Sequence, residues 1–416
     1  MKLLHAADLH VDSPLRGLSD YEGAPVEAIR TATRRAVVNL IDLAIDERVD
    51  AVLLAGDIYD GDWRDYNTGL FFRAQMGRLA DAKIRVFLVS GNHDAASQIS
   101  QKLKLPPNVY EFSKDGPETQ TDEALGLAIH GQGFKFRDMK DNLAIHYPPA
   151  QSGLVNIGLL HTALSGREGH ANYAPCTVNQ LVASGYDYWA LGHIHTREVV
   201  QTAPHIVFPG NTQGRHVRET GSKGCTLVKI GNTGQVTIES HDLSVVRWDH
   251  VKVNVSGASD LDEVCGMIRP ALDEAFHRAD GRLLATRVSV VGTCNAHAEL
   301  WRERERLTNE VRGIANEFDQ AWVEKVRPAT RLAGEETLGN GADVLEAVDD
   351  LRRTAKKLRA DEEVLRRLIE GSPLLQKLPR DARGGGQIDP DNPAWCNDLF
   401  DEAVDLLIAM VEENSR

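Results

Sequence analysis

Thiols, long apolar runs and positive charge are all scarce in this chain of 416 residues. The five cysteines, Cys176, Cys225, Cys265, Cys294 and Cys396, fall at no paired spacing. A disulfide framework or a thiolate zinc knuckle is therefore not expected. No uninterrupted apolar stretch is long enough to span a bilayer. The opening Met1-Lys2-Leu3-Leu4-His5-Ala6-Ala7-Asp8 meets a carboxylate too early for a signal peptide. These absences predict a reduced, cytoplasmic protein with no membrane partner. Lys and Arg number 47 against 61 Asp and Glu, a formal charge of −14. That excess argues against nucleic-acid binding by the whole surface, while leaving room for a local basic groove. Internal repeats at solenoid periods are also missing.

What is present is a series of apolar strands that end in polar side chains. Phe87, Leu88 and Val89 run into Gly91-Asn92-His93-Asp94, as a buried parallel strand does when it ends at a site. In open α/β sheets, ligands bind beyond the carboxyl ends of the strands. Residues 2–8 form a similar strand ending at Asp8-Leu9-His10. On extended backbone those two side chains share one side. Asp50-Ala-Val-Leu-Leu-Ala-Gly56-Asp57 is a second buried strand. Val155–Leu160 ends at His161, and Tyr186–Leu191 runs into Gly192-His193-Ile194-His195. Helices are expected from Pro25 to Arg48 and around Tyr66–Ala82, so the opening reads as β-then-α units with a parallel sheet.

Asp8, His10, Asp57, Asn92, His93, His161, His193 and His195 thus gather at strand ends. Unpaired buried carboxylates and imidazoles cost several kcal/mol, which bound cations would offset. Carboxylate, imidazole and amide oxygen without thiolate suit Mn, with Fe or Zn also compatible. Two such cations can clamp the attacking and leaving oxygens at phosphorus. The competing view is a hydrogen-bonded structural cluster. His5, alternating with apolar residues outside these motifs, reads as a satisfied core histidine.

Asp8-x-His10, Gly56-Asp57, Gly91-Asn92-His93-Asp94, His161 and Gly192-His193-Ile194-His195 together resemble the five motifs of calcineurin-like metallophosphoesterases. Ala6-Ala7-Asp8-Leu9-His10, Gly56-Asp57-Ile58-Tyr59-Asp60 and Pro209-Gly210-Asn211-Thr212-Gln213-Gly214-Arg215-His216 are similar to bacterial DNA-repair exonucleases of the SbcD/YhaO type. The resemblance implies a four-layer αββα sandwich and two divalent metal ions, most simply Mn2+. It implies that Asp8, His10 and His195 hold one ion, Asn92, His161 and His193 the other, and Asp57 both. A metal-bridging hydroxide would be the nucleophile. His93 would stabilise the phosphorane or protonate the leaving oxygen, with Asp60 orienting it. The serine/threonine phosphatases carry Gly-Asp-x-x-Asp-Arg-Gly, whereas Gly61 here follows Asp60 directly without that arginine. The relatives further imply DNA as substrate, an SbcC-like coiled-coil ABC-type ATPase as partner, and a homodimer. A small phosphomonoester or cyclic nucleotide is the alternative substrate. A non-catalytic scaffold of a DNA-repair complex is a third alternative, though no ligand is missing.

The remaining expectations concern organisation. Residues 1–244 read as the metallophosphoesterase domain, 245–330 as a small α+β capping domain and 331–380 as a helical segment. Residues 381–393, with Gly384-Gly385-Gly386, read as a flexible linker, and 394–416 as an amphipathic helix that either docks on a partner or folds back on its own chain. Arg215, His216 and Arg218 form a basic loop that could touch DNA phosphates, or could be a solvated charged loop. His170 in its glycine-rich loop, and the basic helical face of Arg352, Arg353, Lys356, Lys357 and Arg359, are weaker candidates for such contacts.

Overall fold

The computed structural model describes residues 1–13, 15, 23–60, 66–96, 104–164, 173–231 and 233–332. Beyond these it describes 351, 353–359, 361–371, 396, 397, 399–401, 403, 404 and 407. Two compact units divide the chain, one of Met1–Pro14 and Glu27–Trp248, the other of Leu15–Val26 and Asp249–Arg416.

In the first unit, β1 (Lys2–Ala6), β2 (Ala51–Ala55), β3 (Arg85–Val89) and β4 (Val109–Glu111) run parallel. A second sheet holds β5 (Glu118–Asp122), β6 (Leu127–Gly131), β7 (Val155–His161) and β8 (Tyr188–Gly192), with β9 (Glu198–Thr202) and β10 (His205–Phe208). Its order is β5-β6-β7-β8-β10-β9. The first sheet is completed by β11 (Gly224–Ile230) and β12 (Val236–Asp242), antiparallel beyond β1.

Burial on both faces explains the unbroken apolar strands. Along β2, Val52 and Leu54 enter a core shared with helices, while Ala51, Leu53 and Ala55 enter the core between the sheets. The same two-residue alternation sends Trp189 and Leu191 of β8 outward, and Tyr188 and Ala190 inward. The helix α1 (Val26–Arg30) is followed by α2 (Ala32–Asp46) and α3 (Tyr66–Asp81). Buried Ala36, Val37, Leu40, Ile41 and Ala44 give α2 its inner face. The unit is a helix–sheet–sheet–helix sandwich of mixed α/β type.

Several local expectations change. The single helix expected over Pro25–Arg48 is interrupted at Thr31, whose hydroxyl donates back to the Glu27 carbonyl at 2.8 Å. The sheets are mixed rather than parallel throughout. The edge strands β5 and β9 carry no apolar run, since only their inner neighbours are covered on both faces.

In the second unit, β13 (Val246–Asn254), β14 (Leu283–Cys294) and β15 (Ala321–Leu332) form a three-stranded sheet in that order. Val264, Ile268 and Leu272 of the helix Leu261–Ala279 pack with Val288, Val290 and Val323 of that sheet. β15 runs through Pro328, as an edge strand tolerates. Within the expected helical segment 331–380 there is a break at Asp361, which caps a new helix, Glu362–Glu370, by accepting from Val364 N at 3.1 Å. The expected linker at 381–393 lies outside the described residues. No described helix is long and apolar enough to cross a membrane.

Candidate metal centre

The site is built from backbone that leaves its strands abruptly. Asp8 (φ 52°), His10 (φ 43°), Asp57 (φ 53°) and His193 (φ 104°) all adopt left-handed conformations. Such conformations are uncommon outside glycine and concentrate at functional sites. The strand ends are bound to one another, with Asp8 N on the Gly56 carbonyl (3.0 Å) and His10 N on the Asp57 carbonyl (3.1 Å). Glycine is needed where they crowd. A Cβ at Gly91 would collide with the Asp57 carboxylate, and one at Gly192 with the Ala55 carbonyl oxygen.

Three groups of donor atoms result, two of them made of the expected ligands and the third of His10, Asp60 and His93. Asp8, His10 and His195 place ligand atoms within 4.8 Å of one another, as do Asp57, His161 and His193. Asn92 Oδ1 lies 3.1 Å from His161 Nε2 and so joins the second cluster. Asp57 reaches both, its Oδ2 standing 3.5 Å from His161 Nε2 and 4.0 Å from His10 Nε2. All seven side chains come together, and Asp8, His10, Asp57, Asn92 and His161 are almost wholly buried.

The outer nitrogens of the imidazoles show what the inner ones offer. His10 Nδ1 lies 2.7 Å from Asp60 Oδ1, and His195 Nδ1 lies 2.7 Å from Glu219 Oε1. An ionised carboxylate can only accept, so each Nδ1 carries the proton and each neutral Nε2 presents a lone pair. Those Nε2 atoms stand 3.3 Å apart. Two lone pairs aimed at each other, beside the Asp8 carboxylate (3.8 Å from His195 Nε2), fit a cation. His161 instead turns Nδ1 to the Ala55 carbonyl oxygen at 2.8 Å. This donor set fits divalent metals.

Charge distribution agrees. Burial opposes ionisation of Asp57, yet His161 and then His10 outweigh it and hold the carboxyl well below its ordinary range. Burial likewise disfavours charge on His161, but Asp57 raises it to about 9. Asp94 is pushed up to about 7, first by burial and then by the Asp57 carboxylate. Buried titratable groups shifted this strongly by named charge partners mark a functional site.

His93 is more open than the expected ligands and groups with His10 and Asp60. Its side chain is 30% exposed, against 1% for His10, with Nδ1 3.3 Å from Asp60 Oδ1. Asp60 therefore touches His93, the partner expected of it, but lies closer to His10. Arg215, expected to face DNA, is instead engaged with Glu219 Oε1 (2.9 Å) and lies 3.6 Å from Asp60. The reason is proximity: two buried carboxylates bracket it. His216 is about half exposed, Arg218 is also at the surface with its backbone N–H on His216 Nδ1, and His170 lies outside the described residues.

Two residues escaped the motif reading. Asp94 accepts from Ile58 N (2.9 Å), Tyr59 N (3.0 Å) and Gly91 N (3.0 Å), locking two strand-end turns together. Glu219 is buried against His195 and Arg215. The available signal was one acid at the end of the basic stretch Arg215-His216-Val217-Arg218.

Comparison with known proteins agrees with this geometry. Residues 1–197 match the family described as calcineurin-like phosphoesterase, and residues 248–331 match the middle domain of metallophosphoesterase YhaO. The uncharacterized metallophosphoesterase YhaO of Bacillus subtilis is 36% identical over 78% of this chain and 78% of its own length. The DNA double-strand break repair protein Mre11 of Sulfurisphaera tokodaii is 23% identical over 61% of this chain and 66% of its own. One of the subunits of nuclease SbcCD from Rhodobacter capsulatus is 35% identical over 26% of this chain and 24% of its own. With a YhaO-like relative spanning both units and the strand-end motifs of both sheets folded together, the chain belongs to the calcineurin-like metallophosphoesterases and, among them, to the YhaO type.

Proposed function

We propose that this chain is a two-metal DNA phosphodiesterase, a nuclease of DNA repair acting in the cytoplasm. The observation that carries this is the pair of donor clusters sharing Asp57, with the half-exposed His93 beside them. Asp8, His10 and His195 would hold one ion and Asn92, His161 and His193 the other, with Asp57 within reach of both sets. The absence of thiolate favours Mn2+. Bound metals supply an acidified water and neutralise phosphate charge. The protein's own residues do the rest. Burial of Asp8, Asp57 and His161 excludes bulk water from the donor atoms. Asp60 holds the His10 ring with one carboxylate oxygen and steadies His93 with the same atom. His93 then presents Nε2 to the phosphate, where it donates a proton to the leaving oxygen.

DNA is favoured as substrate because two relatives are named as a double-strand break repair protein and a nuclease. The second of these is by name part of a complex. An SbcC-like coiled-coil ATPase and a second copy of the chain are accordingly proposed as partners. Exposed Val364, Leu368, Leu399 and Leu407 on the C-terminal helices offer apolar contacts for one of them. Residues 1–244 would be the nuclease domain and 245–330 its cap.

The test sets Mn2+-loaded protein on end-labelled duplex DNA beside bis-para-nitrophenyl phosphate, with and without an SbcC-like coiled-coil ATPase. Cleavage of both is expected. Turnover of the small ester with intact DNA under every condition would leave a small-molecule phosphoesterase instead.

A further inference from the structure

Glu219 does nothing in the proposed chemistry, yet it is only 6% exposed and its carboxylate is bonded to a residue of the centre. Its Oε1 accepts from His195 Nδ1 (2.7 Å) and from an Arg215 terminal nitrogen (2.9 Å). Its Oε2 accepts from Asn211 Nδ2 (2.9 Å) and from Arg215 N (2.8 Å). The Arg215 guanidinium continues to Asp60, 3.6 Å away, and Asp60 accepts from His10 Nδ1. One guanidinium therefore joins the two carboxylates that hold both histidines of a single donor cluster. In the other cluster a main-chain carbonyl holds His161.

We infer that Glu219, steadied by Arg215, is a positioning residue that sets the metal affinity of the Asp8–His10–His195 cluster and leaves the Asn92–His161–His193 cluster unaffected. The inference rests on the ligand assignment proposed above. The His195 side chain is 24% exposed, so packing alone does not hold its ring. Glu219 fixes the tautomer and aims Nε2 inward, the part an outer carboxylate plays for a metal-binding imidazole. Without it the ring can rotate, or carry its proton on the nitrogen that should bind.

The test is calorimetric titration of the metal-free full chain with Mn2+, with bound metal counted independently by mass spectrometry. Wild-type protein is expected to show two binding events. In Glu219→Ala one event weakens about 10–100-fold, the cost usual for losing such a partner, while the other moves by less than about 2-fold. Glu219→Gln keeps an oxygen for His195 but turns an amide against the donors of Arg215 and Asn211. It should weaken the same event by an intermediate factor, and it decides the matter alone if the alanine variant does not fold. Equal weakening of both events, or no weakening in either variant, overturns the inference while leaving the ligand assignment intact. Fewer than two ions on the wild-type protein overturns both.

Discussion

The two donor clusters of this centre are held in different ways. In the Asp8–His10–His195 cluster, side-chain carboxylates grip the outer imidazole nitrogens, Asp60 from 50 positions away in sequence and Glu219 from 24. In the Asn92–His161–His193 cluster, the Ala55 carbonyl grips His161, and Gly56, Gly91 and Gly192 let the backbones approach. One half is therefore adjustable residue by residue, whereas the other is set by the main chain and tolerates no added Cβ. The first should respond to polar substitutions through metal affinity. The second should respond to glycine substitutions through folding.

The most damaging change should be the one that erases the distinction. Asp57→Asn removes the carboxylate common to both clusters. Hydrolysis of bis-para-nitrophenyl phosphate is expected to fall on the order of 10^3-fold, with loss of bound metal from both halves. Retention of both ions at wild-type affinity would contradict the shared role of Asp57. His93→Ala, outside both clusters, should lower turnover roughly 10^2-fold while metal content stays at the wild-type level. Loss of metal would make His93 a ligand and redraw the division between the halves.

Gly192→Ala probes the main-chain half. Its methyl would press on the same Ala55 oxygen that holds His161. We expect a stability loss of about 1–3 kcal/mol in a denaturant melt. A melt superimposable on wild type would show that the main chain there is not limiting.

The smallest effect concerns the core beside the centre. Burial, offset in part by the bond to the Leu191 carbonyl, lowers His5 from 6.5 to about 3. Both ring nitrogens are engaged, one with the Tyr188 hydroxyl at 2.9 Å and one with that carbonyl at 3.1 Å. A histidine held neutral in the folded state contributes stability that is present above pH 6.5 and lost as pH falls toward 3, because the unfolded chain binds the proton first. His5→Gln should flatten the loss of stability between pH 6 and pH 4, by about 1 kcal/mol or more across that interval. An unchanged slope would remove His5 from the acid response.

Much of the centre was legible because its chemistry sits in short motifs at strand ends. Gly56-Asp57 and Gly91-Asn92-His93 follow unbroken apolar runs, and burial on both faces leaves such runs little other meaning. The sandwich followed from the same runs, although the polar edge strands Glu118–Asp122 and Glu198–Thr202 did not, having one side open. The break at Asp361 was hidden as well, since an aspartate within a charged helical pattern looks like one more solvated residue.

Residue types and their order along the chain determined which atoms can hold metal, since carboxylate, imidazole and amide chemistry belongs to the residue itself. Which carboxylate holds which imidazole was decided only by tertiary structure. Asp60 serves His10 as well as His93, Glu219 serves His195, and Arg215 is engaged by both acids. The physical reason is that such bonds join strand ends whose spacing is set by sheet order and register. A hydrogen bond of under 3 Å depends on that spacing and leaves no period in the sequence.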